Sequence, residues 1–142
     1  MRALAKLRRA PLFLVAAILW LPHIALATEI QVVRSPGGIT AWLVHEPSIP
    51  LLSVSFSFAG GASLDQPSRK GTGNLVSALL DEGAGPYDSL AFQTRLEELA
   101  VRMGFDADRD SFSGSLRTLS ANRDPAFELL RLALNEPHFE AE

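Results

Sequence analysis

Asp106, Asp108 and Asp110 are the residues whose type and spacing come nearest to a ligand set. Carboxylates at i, i+2 and i+4 open a calcium loop, but such a loop also needs a glycine at its sixth position and a bidentate glutamate at its twelfth. Those positions are Ser111 and Arg117. A period of two places all three carboxylates on one wet face of a strand pair, which is the reading adopted. His45 and His138, the two histidines after residue 27, lie too far apart in sequence for ligand spacing and are expected at the surface or at strand ends. Ser63 follows Gly60-Gly61-Ala62 without a G-x-S-x-G elbow, and neither histidine has an adjacent orienting acid, so serine hydrolysis has no support. Gly60-Gly61 lacks the Gly-Lys-Ser of a nucleotide loop and instead should let a strand end pack close to a helix. Arg69-Lys70 opposes the dipole of a helix starting just after it, which suits solvation or a partner's acidic patch.

The elements that would hold these residues can be read from the periodicity. Residues 30–34 form an apolar run, Pro36-Gly37-Gly38 a turn and residues 39–45 a second strand, together a hairpin. Leu52, Val54, Phe56 and Phe58 alternate with Ser53, Ser55 and Ser57, the pattern of a half-buried antiparallel strand. Residues 71–80 read as a helix stopped by Gly83. A second helix starts at Asp88 or Ser89, turns Leu90, Phe92, Leu96, Leu99 and Val101 or Met103 to the core, and ends at Gly104. Strands over 105–109 and 111–120 follow. Asn122 or Asp124 then caps a third helix with Pro125 in its first turn, a buried stripe of Phe127, Leu129, Leu130, Leu132 and Leu134, and a stop at Pro137. This order predicts an α+β fold, a two-layer sandwich of a largely antiparallel sheet with helices on one face.

Composition limits the function classes. The 142 residues suffice for one domain and one core. Arg2, Lys6, Arg8 and Arg9 precede an apolar run over 12–21 and a small-x-small Ala25-Leu26-Ala27, which reads as a secretory signal at 1–27, cleaved near Ala27. The run is short for a bilayer span, so membrane contact is expected only through this transient segment. Nine of the thirteen Lys plus Arg lie after residue 27, against all sixteen Asp plus Glu. That scattered, net acidic remainder argues against nucleic acid. The absence of cysteine leaves no disulfide framework and no acylation site. A periplasmic or secreted bacterial protein is expected.

The stretch Gly71 to Gly83, G-T-G-N-L-V-S-A-L-L-D-E-G, carries the strongest signal. It has the frame of the inverted zinc motif H-x-x-E-H, in which two histidines four apart hold the metal and the glutamate is the general base. Those three positions fall on Asn74, Ser77 and Ala78. None of them offers an imidazole or a carboxylate, so no zinc site of this type can form on this helix, and neither a metal site nor a catalytic residue is assigned.

Together with the F-x-x-G-G strand end before it and N-E-P-H-F after it, this stretch resembles the N-terminal half-domain of the insulinase, pitrilysin and mitochondrial-processing-peptidase family, over about residues 30–142. The resemblance implies a processing-peptidase-type α+β domain at 28–142. It also implies a non-catalytic member that needs no zinc itself, pairs with an active zinc-bearing homologue as a hetero-oligomer and helps form its chamber for peptide substrates. Family domains are longer, and their third ligand lies further on, so the chain is expected to be truncated. Two alternatives stand beside this: part of an active exported metalloendopeptidase whose metal site lies outside the chain, or a degenerate scaffold without a partner.

Overall fold

In the computed structural model, residues 29–139 are described. The expected signal segment at 1–27 lies outside the described residues. The chain divides into two compact units between Glu46 and Pro47.

In the first unit, β1 (Ile30–Arg34) pairs antiparallel with β2 (Thr40–Val44), with Val32 opposite Trp42. Ser35 fixes the turn: its carbonyl accepts from Gly38 N at 3.0 Å and its hydroxyl from Ile39 N at 3.1 Å. Every residue of both strands is exposed.

The second unit holds β3 (Leu51–Ala59), α1 (Thr72–Leu79), α2 (Ser89–Glu98), β4 (Arg102–Ala107), β5 (Ser111–Leu119) and α3 (Arg123–Asn135). Its antiparallel sheet has the order β3-β5-β4, so β5 is central. The predicted element order and the α+β class are those observed. Alternation sets the two faces. One face carries Leu52 beside Thr118, then the rows Val54–Leu116–Met103, Phe56–Gly114–Phe105 and Phe58–Phe112–Ala107. The other carries Ser53–Arg117–Arg102, Ser55–Ser115–Gly104 and Ser57–Ser113–Asp106. The apolar face is the core face: Leu116 is buried among Phe92 and Leu96 of α2 and Ala126, Leu129, Leu130 and Ala133 of α3. Gly114 has a packing reason. Its two register partners are Phe56 and Phe105, whose rings meet edge-on at 6.4 Å over its backbone, and a Cβ there would collide with the Phe56 ring.

Several boundaries and faces differ from the sequence expectation. The second helix ends at Glu98 rather than Gly104, because Ala100 enters the left-handed region at φ 49° and β4 has begun by Arg102. Gly104 lies inside that strand. Leu90 is exposed, since it sits one residue into the helix on the side away from Phe92 and Leu96. In α3, Phe127 and Leu134 are partly exposed while Ala126 and Ala133 are fully buried, so the buried face is shifted from the one expected. Phe58 at the end of β3 is also exposed.

Candidate functional site

The positions at which an H-x-x-E-H helix carries its chemistry lie on α1. This helix begins after Gly71, which adopts φ 92° and supplies no side-chain cap. A residue well before the helix takes that role. Asp65 accepts from Gly71 N at 2.7 Å through Oδ2 and from Gly73 N at 3.0 Å through Oδ1, placing a carboxylate at the positive end of the helix. Thr72 adds a turn-closing bond from its hydroxyl to the Arg69 carbonyl at 2.6 Å. The helix lies close on the sheet, because a Cβ at Gly73 would already stand 3.6 Å from that of Ala107.

Asn74 and Ala78, four apart, share the exposed side of this helix, and Ser77 is buried. The Ser77 hydroxyl donates to the Asn74 carbonyl at 2.9 Å, one turn back. The position that would carry a general base thus holds a short hydroxyl satisfied within its own helix. The exposed positions offer an amide and a methyl group. These three positions supply no carboxylate base and no imidazole, the groups with which an H-x-x-E-H helix works.

The loop after the helix is tied to the end of α3. Gly85 N donates to the Glu136 carbonyl and His138 N to the Gly83 carbonyl, each at 2.9 Å, and Ala84, fully buried, bridges to Pro137. The D-E-G and N-E-P-H-F stretches, far apart in sequence, are therefore one hydrogen-bonded unit. Asp81 enters this loop partly buried, and desolvation pushes its carboxyl above the ordinary aspartate value, against its backbone hydrogen bond and with the nearby Glu82 charge adding to the rise. Gln93 of α2 donates to the Asp81 carbonyl at 2.8 Å.

The other candidates do not join this site. Asp106, Asp108 and Asp110 are all exposed. The carbonyls of the β4–β5 turn are occupied: Asp108, Arg109 and Asp110 accept from Ala62, Ser63 and Gly60 at 2.8–2.9 Å. Gly60-Gly61 thus packs a strand end against neighbouring backbone, although the neighbour is the hairpin turn, and a side chain at Gly61 would collide with the Asp108 carbonyl. Among the described residues no three His, Asp or Glu side chains converge. His45 is exposed and His138 partly so. Sequence reasoning missed Asp65, six residues ahead of the first amide that it accepts. It also missed the Leu99 carbonyl at the end of α2, which accepts from Thr118 Oγ1 at 3.1 Å and Asn122 Nδ2 at 2.8 Å. Asn122, expected to cap α3, spends its side chain there instead.

No family model matches the chain. The crystal structure of a peptidase M16 inactive domain from Pseudomonas fluorescens is similar with a TM-score of 0.72 and 30% identity, covering 80% of this chain and 28% of that one. A non-peptidase homolog, YmxG, from Helicobacter pylori (strain ATCC 700392 / 26695) is 26% identical over 91 residues, which is 64% of this chain and 21% of the relative. The chain thus spans between a fifth and a third of the length of these two proteins. The chain is thus similar to a peptidase M16 inactive domain and to a non-peptidase homolog, and its own Asn74, Ser77 and Ala78 stand where an H-x-x-E-H motif would place its side chains.

Proposed function

We propose that this chain acts as a non-catalytic, peptidase-like subunit, exported to the periplasm or beyond, that associates with a zinc-bearing homologue and contributes a wall to its peptide chamber. One observation carries the reading: α1 is built, capped by Asp65 and seated on the sheet as a metal helix would be, yet Asn74 and Ala78 expose no ligand atom of the right kind and Ser77 is buried. Retaining such a helix without its chemistry fits a role in assembly. The names of the two similar proteins, an inactive domain and a non-peptidase homolog, accord with it. The experiment is co-purification of the chain with a homologue bearing an intact H-x-x-E-H motif, followed by size-exclusion chromatography and metal analysis. A complex whose zinc follows the homologue alone is expected. Stoichiometric zinc on the isolated chain, or a chain that ignores the homologue, would sink the proposal.

A further inference from the structure

The polar face of the β3-β5-β4 sheet has a charge arrangement that the fold does not require. Arg102 and Arg117 are direct partners across β4 and β5, with Ser53 on the far side of Arg117. Like charges placed opposite each other destabilise a strand pair. Relief is absent locally: Arg95, Arg109, Arg123 and Arg131 each have a carboxylate partner, whereas Arg102 and Arg117 have none among the described residues. Both line a depression of about 270 Å³ together with Ser53, Ser55, Gly104 and Ser115. Its floor includes Gly104, where a Cβ would meet nothing within 4 Å, so packing does not demand a glycine and its effect is to keep the depression open. Two guanidinium groups with hydroxyl donors beside them suit a carboxylate, which accepts charge-assisted hydrogen bonds from both.

We propose that this depression binds the carboxylates of an acidic peptide segment. The opposite end of the same face carries Asp106, in register with Ser113, which separates it from Ser57. A long polyanion such as nucleic acid would be repelled there, whereas one or two carboxylates on a peptide reach the arginines and leave the serines for its polar atoms. The inference rests on the peptide-binding role proposed above and adds its charge preference.

The test is fluorescence anisotropy of the purified full chain with a labelled peptide bearing glutamates at alternate positions, compared with its glutamine counterpart. The glutamate peptide should bind at least about tenfold more tightly at low salt, and the difference should shrink as salt screens the charges. Combined Arg102→Gln and Arg117→Gln should abolish the difference without lowering the thermal midpoint, since a repulsive pair is removed. Gly104→Val, which fills the depression from a position free of neighbours, should weaken binding with the arginines intact. Equal affinity for the two peptides, or undiminished binding by the double arginine variant, would overturn the proposal. Full displacement of the peptide by an equal concentration of inorganic phosphate would assign the site to a small oxyanion and overturn it likewise. Because only the isolated chain is used, a failure to associate with a homologue leaves this result untouched, and the two readings fail separately.

Discussion

At the scale of single residues, Ser77 is satisfied within its own helix, and Asp65 shows how much of α1 depends on one carboxylate. It accepts two amides that the helix cannot bond itself. Asp65→Ala should cost about 1–2 kcal/mol of stability, the range of a lost N-cap, and should raise amide exchange at Gly71 and Gly73. Unchanged exchange there would show that water replaces the carboxylate without loss. Gly114 gives the complementary case of a side chain that must be absent. Gly114→Ala should destabilise by about 1–3 kcal/mol through overpacking against Phe56. Adding Phe56→Leu should recover part of that loss, and a stabilising Gly114→Ala would mean the rings do not cross the strand. That Asn74, Ser77 and Ala78 carry no imidazole or carboxylate is legible in the sequence because motif spacing is local. Asp65 was not, because helix-start signals are sought at the cap position, which Gly71 occupies.

At the scale of elements, alternation read the sheet well and periodicity read the helices less well. The Leu-Ser-Val-Ser-Phe-Ser pattern of β3 gave its register to the core correctly, since a period of two leaves only one choice of face. A helix offers a continuum of faces. In α3 the large Phe127 and Leu134 drew the expected stripe outward, while the sheet is approached through the small Ala126 and Ala133, which let the helix come close. The end of α2 was placed at the wrong glycine because Ala100, rather than Gly104, takes the left-handed turn, an uncommon choice for a residue with a Cβ. The loop between α1 and α2 yields a prediction in pH. Desolvation raises the Asp81 carboxyl above 3.8, so the folded state holds its proton more tightly than the unfolded one. Below 3.8 both states are protonated and the group contributes nothing differential. As pH rises through 3.8 towards the folded value, stability falls, and the loss persists at neutral pH. Asp81→Asn should therefore be more stable than the parent at pH 7 and indistinguishable from it near pH 3, measured by denaturant midpoints. A variant less stable at pH 7 would show that the carboxylate's hydrogen bond outweighs its burial.

At the scale of the whole molecule, the two units differ in how much they bury. The 47–139 unit has a core spanning sheet and helices, whereas the β1–β2 hairpin exposes every residue, including Ile30, Val32 and, at 82% exposure, Trp42. A two-stranded hairpin is marginal in water on its own, and apolar side chains left in the open favour association. Trp42 is the sole tryptophan after residue 27, since the other is Trp20 in the expected signal segment. In the chain lacking residues 1–27, tryptophan emission therefore reports on this hairpin alone. The isolated protein should emit as an exposed indole, be quenched readily by iodide and show fast amide exchange over residues 30–44, with the slowest exchange in the central strand β5. Mixing with a zinc-bearing homologue should shift the emission to the blue and reduce quenching if association covers the hairpin. Trp42→Ala should then weaken the complex while leaving the unfolding midpoint of the 47–139 unit in place, because Trp42 lies outside its core. A blue-shifted, protected Trp42 in the isolated chain would instead mean that the hairpin is already covered, and would remove it from the surfaces available to a partner.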